Sequence, residues 1–157
     1  MVRHWSGLTA GGRPSSILDR NRTATMHIQR LQMEQDVFNA VVVGAFKLSL
    51  AEIQFIELLA EAVRCGATKI LIDGEEITGN PTQFERFLYG DFVALATVDV
   101  MKKHKLKLRF AYVIHEPVRD PERYGETVAV RRGMDVKTFE GKNEALEWLN
   151  GDHSDGP

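Results

Sequence analysis

Hydrophobic positions fall into short β-branched runs that alternate with longer stretches of helical spacing, and one run stands at the centre of this pattern. Residues 70–72, Ile-Leu-Ile, predict a strand buried on both faces that ends at Asp73. A polar loop follows and leads to Asn80, a good N-cap residue, and to Pro81, which suits the first helical position. Gln83 completes a predicted capping box, so a helix is expected to begin at the edge of the sheet.

The chain before this run predicts an antiparallel pair of strands. Between residues 27 and 44 the pattern is typical of two strands, and the second covers the β-branched stretch 37–43. Gln35 and Asp36 form the connection between them. Because so short a connection cannot cross over the sheet, it favours antiparallel pairing.

Two long helices are predicted by a periodicity of helical type. The first begins at a capping box formed by Ser49 and Glu52 and ends at Gly66. The second covers residues 81–103, with a kink or a break expected at Gly90. The predicted apolar faces are Leu50, Ile53, Ile56, Leu59, Ala60 and Val63 on the first helix, widened by Phe55, Leu58 and Ala62, and Phe84, Phe87, Leu88, Phe92, Leu95 and Val98 on the second.

The second half of the chain continues the alternation of strands and helices. It predicts strands over 106–114 and 136–139, a helix capped by Asp120 and ended by Gly133, and a closing helix over 143–149. Such alternation requires right-handed βαβ crossovers. We therefore predict a single α/β domain with a mixed, mostly parallel β-sheet of about five strands and four or five α-helices.

Several polar side chains follow the predicted parallel strands, at the edge where open α/β sheets bind their ligands. Asp73 ends the central strand, and His115, Glu116 and Arg119 follow the next one. These four residues form a candidate rim for a ligand or a protein partner. A hydrolase or isomerase with Asp73 and His115 as its acid–base groups is a further hypothesis.

Composition narrows the classes of function. A chain of 157 residues is expected to be one domain that buries its own core. Its net charge of -2 argues against nucleic acid as the main partner, and its apolar runs fall short of the roughly 20 residues that cross a bilayer. Cys65, the single cysteine, excludes an intramolecular disulfide, and no zinc, nucleotide-binding or nucleophile-elbow motif occurs. These features predict a cytoplasmic, non-enzymatic protein without a cofactor.

The two ends of the chain differ from the rest. Residues 1–25 are rich in glycine, serine and arginine without hydrophobic periodicity, which predicts a flexible tail or, alternatively, a basic arm for an acidic partner. Met26 stands where the pattern begins and offers an alternative start of translation. Residues 26–150 are expected to form the folded domain, and residues 151–157 a C-terminal tail.

Five stretches of the sequence carry a resemblance to a known family. They lie at residues 66–73, 81–87, 125–133, 136–139 and 145–149, and read GATKILID, PTQFERF, GETVAVRRG, VKTF and ALEWL. The chain over about residues 27–149 resembles the SpoIIAA-like, STAS-type family of small bacterial α/β proteins. The resemblance implies a STAS-like fold, shared with anti-sigma-factor antagonists and more distantly with lipid-carrying CRAL-TRIO domains.

The resemblance also implies a regulatory or protein-interaction role in signalling. Anti-sigma-factor antagonists carry a phosphorylatable serine at the start of the helix that follows the central strand. The nearest hydroxyl here is Thr82, with Thr78 before it, so these residues and Asn80 are the candidate phosphoacceptor or partner-contact positions. A phosphate on Thr82 would lie at a helix N-terminus, where free N–H groups favour it.

Two further expectations concern what the protein binds. The alternative function is a small-molecule or lipid-binding module of CRAL-TRIO-like type, in which Phe84, Phe87 and Phe92 line a pocket beneath the second helix. Phenylalanine-rich helices beside a short edge strand also favour a homodimer. The expected partners are therefore an unidentified protein, a second copy of the chain or a small apolar ligand.

Overall fold

The computed structural model of the protein describes residues 25–151. The predicted tails at 1–25 and 151–157 lie outside these residues, except for Thr25 and Gly151. The described range holds five strands and four helices, which follow one another as β1 (His27–Glu34), β2 (Val37–Ala45), α1 (Leu48–Arg64), β3 (Lys69–Thr78), α2 (Gln83–His104), β4 (Arg109–Val113), α3 (Tyr124–Arg131), β5 (Asp135–Phe139) and α4 (Lys142–Asn150).

The five strands form one sheet in the order β1-β2-β3-β4-β5. β1 and β2 pair antiparallel through a tight turn in which Gln35 has a left-handed φ of 60°. All other neighbouring strands pair parallel. The structure therefore confirms the predicted α/β class, the mostly parallel sheet and the N-terminal hairpin. It also confirms that the run at residues 70–72 lies in the middle of the sheet.

Helices cover the two faces of the sheet unequally. α1, α2 and α3 pack on one face, where the larger core joins Phe55 of α1 to Ile70 and Phe110 of the strands. α4 covers the other face, where Leu149 packs with Leu71 of β3. Cover on both faces explains why the middle strands are almost continuously apolar. None of the described helices is long and apolar enough to span a bilayer.

β3 is longer than the pattern of its residues predicts. The expectation that it ends at Asp73 is wrong, because the chain stays paired with β2 as far as Thr78. The register between the two strands shifts just after the pair formed by Val41 and Asp73. Gly74 fits at this irregularity because a Cβ there would lie 2.6 Å from the Cδ1 atom of Ile77. Polar residues that are typical of a loop are thus held in a strand by a distant neighbour.

Two helices begin differently from the prediction. α1 has Lys47 as its N-cap without a side-chain cap bond, so the predicted capping box at Ser49 is wrong and Ser49 lies inside the helix. α3 begins at Tyr124, later than predicted. The reason is that the carboxylate of Asp120 accepts hydrogen bonds from the backbone N–H groups of Glu122 and Tyr124 and stabilises a turn ahead of the helix.

The helices bury only part of the faces expected, although Phe55, Leu58, Leu59 and Ala62 of α1 are buried as predicted. Ile53 and Ile56 of α1 are exposed, the former to 57%. Phe84 and Leu95 of α2 are 68% and 54% exposed. Sequence periodicity overestimated the width of both apolar stripes because it counts every hydrophobic residue as buried. The residues that these helices do bury are Ala51, Phe55, Leu58, Leu59 and Ala62 on α1, and Gly90, Val93, Ala94 and Thr97 on α2.

Gly90 marks a contact between helices. Of the kink or break expected at this residue, the break does not occur, because α2 runs without interruption from Gln83 to His104. A Cβ atom at Gly90 would lie 2.6 Å from the carbonyl oxygen of Gly125 in α3. The glycine therefore allows α3 to lie directly against α2.

Candidate functional site

A cavity of about 130 Å³ opens at the carboxyl edge of the parallel strands. α2 and α3 form one side of it, and the ends of β3, β4 and β5 form the other. Its wall is mostly apolar, with Ile77 and Val136 contributed by the sheet and Val93 and Ala129 by the helices. Because open α/β sheets bind their ligands at this edge, the cavity is the candidate functional site.

Two tyrosines meet in the wall of the cavity. Tyr89 of α2 and Tyr112 of β4 share a hydrogen bond of 2.8 Å between their hydroxyl groups, and their rings meet edge to face. Desolvation of the hydroxyl groups raises the pKa of both phenols well above its ordinary value. Both phenols are therefore neutral at physiological pH. One of the two hydroxyl groups donates its proton to the other. The second hydroxyl therefore keeps a proton that it can donate to a ligand.

Arg86 of α2 brings a positive charge into the same wall. Its Nη2 donates to the main-chain oxygen of Pro117 at 2.6 Å, and its Nη1 donates to the side-chain oxygen of Gln83 at 2.9 Å. The Nε atom of Arg86 is buried and has no hydrogen-bond partner among residues 25–151. The hydrogen-bond partners of this guanidinium in the described part of the chain are therefore all neutral. The carboxylate of Asp120 lies near enough for the charge of Arg86 to act on it.

Arg119 lies in the wall as well, with a side chain that is only 11% exposed. Its Nη1 atom is 3.5 Å from a carboxylate oxygen of Glu140 and 3.9 Å from one of Glu116. His115 lies beside them, with Nε2 at 3.2 Å from the main-chain oxygen of Glu140 and at 3.7 Å from a carboxylate oxygen of Glu75. His115, Glu116 and Arg119, three of the four predicted rim residues, thus lie together at this end of the sheet.

Asp73, the fourth predicted rim residue, lies apart from the other three. Its carboxylate accepts the backbone N–H of Glu75 at 3.2 Å, and the residue pairs with Val113 inside the sheet. Within residues 25–151 no hydrogen bond or ion pair joins Asp73 to His115; Glu75 approaches the imidazole instead. The reason is that β3 continues beyond Asp73, which places this carboxylate before the edge of the sheet.

The two acidic side chains that line the cavity are already bound to protein groups. Glu126 accepts hydrogen bonds from the backbone N–H of Thr138 at 2.9 Å and from its hydroxyl at 2.8 Å. Asp120 accepts the backbone N–H groups of Tyr124 and Glu122. Partial desolvation opposes ionisation of Asp120. These two hydrogen bonds and the nearby guanidinium of Arg86 outweigh this effect and lower the pKa of the carboxyl group. Both carboxylates therefore serve to hold the cavity wall together.

The candidate phosphoacceptor positions lie at the start of α2. Thr82 is the N-cap: its Oγ1 accepts the N–H of Glu85 at 3.0 Å, and the Glu85 carboxylate accepts the N–H of Thr82 at 2.9 Å. The predicted capping box of Asn80 and Gln83 is therefore wrong. A phosphate on Thr82 would break the observed box and lie beside the negative charge of Glu85. Thr78 is the last residue of β3, and both it and Asn80 are exposed.

Seven polar residues of the cavity wall were not among the predicted site residues: Arg86, Tyr89, Tyr112, Asp120, Arg123, Glu126 and Thr138. Tyr112 offered one signal, since a hydroxyl within an otherwise apolar strand needs a partner. Arg86 offered a weaker one, as a cation among the apolar positions of α2. The predicted pocket lining is not borne out, because the cavity wall includes none of Phe84, Phe87 and Phe92.

No protein-family model matches the chain, and no curated protein matches it either. The kinship with STAS-type proteins therefore stays a prediction. Among residues 25–151, no group of three or more His, Cys, Asp or Glu side chains is placed to hold a metal ion.

Proposed function

We propose that the protein is a binding module for a small, mostly apolar molecule, with the cavity between α2, α3 and the sheet as its site. The observation that carries this proposal is a preformed apolar cavity at the carboxyl edge of the sheet, with a few polar groups in its wall. The proposed role is regulatory and non-enzymatic: an occupied cavity ties α2 and α3 to the ends of three strands.

The volume of the cavity limits the size of the ligand. Apolar protein cavities of about 150 Å³ bind benzene, and this cavity measures about 130 Å³. Pockets for drug-sized molecules are larger, at about 300–1,000 Å³. The proposed ligand is therefore comparable to one aromatic ring or a short branched aliphatic chain, and a long-chain lipid is too large for the site.

Benzyl alcohol is a suitable neutral probe for this function. In an NMR titration we expect shifts concentrated on amides of the cavity wall. Ala129→Leu fills the cavity from α3 and should weaken binding at least about tenfold. Val130→Leu alters the neighbouring, exposed residue on the same helix and serves as the matched control.

Two results would count against the binding function. One is a pattern of shifts scattered over the surface, and the other is equal affinity of the wild type and Ala129→Leu. Thermal unfolding of both variants shows whether each is folded. Native mass spectrometry of freshly purified protein gives an independent check, because a retained molecule of low mass supports the proposal.

A second candidate function is a STAS-type protein-interaction domain whose contact surface is the segment 73–84. Phe84 favours it, because this large apolar side chain is exposed in the first turn of α2. Phe84→Ser should remove a specific partner in a pull-down, and should abolish any concentration-dependent homodimer. Leu95→Ser is the control, at another exposed position of α2. The same captured proteins and the same mass for wild type and Phe84→Ser would argue against this surface.

A further inference from the structure

Two arginine side chains in the cavity wall each have a buried N–H group without an acceptor. The Nε atoms of Arg86 and Arg119 are both enclosed, and within the described range 25–151 neither donates a hydrogen bond. Both side chains line the same cavity. A buried donor without an acceptor is unfavourable, and more so when the group is charged. The coincidence of two such side chains in one wall makes them the candidates for binding a hydrogen-bond acceptor that enters the cavity.

The hydrogen-bond partners of the charged side chains around the cavity also favour an acceptor supplied by a ligand. Arg86 donates only to neutral groups. Arg119 has its closest carboxylate, that of Glu140, at 3.5 Å from Nη1. The acidic side chains in the wall, Asp120 and Glu126, are bound to backbone N–H groups and, for Glu126, also to a hydroxyl. The wall therefore offers guanidinium groups to a ligand, while its own carboxylates accept hydrogen bonds from the protein and Asp120 also lies near the charge of Arg86.

We propose that the ligand of this cavity is a small monocarboxylate, whose apolar part fills the cavity and whose carboxylate binds Arg86 and Arg119. This inference rests on the proposed binding function and specifies its ligand class. The guanidinium group is suited to binding a carboxylate, and hydrogen bonds between such groups are the strong, charge-assisted kind. A phosphate ester would bring more charge and a bulkier head group into a wall that is mostly apolar.

Benzoate and benzyl alcohol are the probes for this test, because both carry one ring and differ mainly in the charge of the polar end. Calorimetry at low salt should show that the wild type binds benzoate at least about tenfold more tightly than benzyl alcohol. Arg86→Met should remove this preference and still bind benzyl alcohol. Arg131→Met removes the same charge from an exposed position on α3 outside the cavity wall, so it should keep the preference.

The possible outcomes separate the ligand class from the binding function. Equal affinity of the wild type for both probes overturns the carboxylate assignment alone, and so does a preference that survives Arg86→Met. Inorganic phosphate that displaces benzoate at a concentration below that of benzoate itself overturns the carboxylate assignment in favour of another anion. Failure of both probes to bind overturns the binding function as well. Should Arg86→Met fail to fold, loss of the preference in Arg119→Met supports the proposal, and its persistence there contradicts it.

Discussion

The hydroxyl pair of Tyr89 and Tyr112 allows a quantitative test of how the cavity wall is held. Replacing either residue with phenylalanine removes one hydroxyl and leaves the other without its partner at 2.8 Å. A lost hydrogen bond costs about 0.5–1.5 kcal/mol, and an unsatisfied buried polar group about 1–3 kcal/mol. Each single variant should therefore lose about 1–2 kcal/mol of the free energy of unfolding.

The double variant, Tyr89→Phe with Tyr112→Phe, should lose clearly less than the sum of the two single variants. It removes both hydroxyl groups, so neither is left buried and unpaired. The edge-to-face contact of the two rings is retained. We expect a coupling energy of about 1 kcal/mol or more between the two positions.

Urea unfolding of the wild type and the three variants gives the four free energies that the cycle needs. Additivity within about 0.5 kcal/mol would refute the reasoning, because the two hydroxyls would then act independently. Alkaline pH offers a second readout. Since desolvation raises the pKa of both phenols, their contribution to stability is complete below about pH 10 and is lost as pH rises through the folded-state values. The double variant, which has neither phenol, should lack this part of the loss of stability at alkaline pH.

Three further predictions concern the elements around the cavity. Gly90→Ala should lose about 1–2 kcal/mol in urea unfolding, because contact with the Gly125 carbonyl oxygen at 2.6 Å outweighs a gain of about 1 kcal/mol in helix propensity; a more stable variant would contradict the helix contact. Thr82→Ala should lose about 1 kcal/mol in the same assay while Thr82→Ser retains stability, and equal values would contradict the capping box formed with Glu85. Asp120 has a lowered pKa, so its contribution is present above its ordinary pKa of about 4 and is lost as pH falls through the folded-state value. The difference in Tm between wild type and Asp120→Asn should therefore shrink below about pH 4, and a difference that is constant with pH would argue against this role.

The local sequence pattern predicted a helix or strand correctly where the residues of that element are themselves typical of it. The run at residues 70–72 is short, apolar and β-branched, so its place in mid-sheet followed from its composition. The closing helix was expected over 143–149 and is observed as Lys142–Asn150, with Ala145 and Leu149 buried against the sheet. Alternation of such elements then implied the parallel sheet, because crossovers of one hand connect its strands.

Local pattern failed where a contact with a distant part of the chain decides the outcome. β3 extends through polar residues because β2 supplies hydrogen-bond partners there. Gly90 taken alone predicts an interruption of the helix, but it lies inside α2. A glycine is needed at this position because the close approach of Gly125 leaves no room for a side chain. Ile53 is apolar and lies in phase with the helical pattern, yet it is exposed because no other element of the described range 25–151 covers it enough to bury it. In each case the competing interaction lies far away along the sequence.

By itself, the sequence determined the class of fold, the central strand and the edge at which a site was to be sought. Those features depend on periodicity, propensity and the handedness of connections, all of which act over a few neighbouring residues. Only the tertiary structure decided that Arg86, Arg119 and the tyrosine pair share one cavity. A cavity is the space left between elements after they pack, and the side chains that face it come from helices, strands and loops that are remote in the chain.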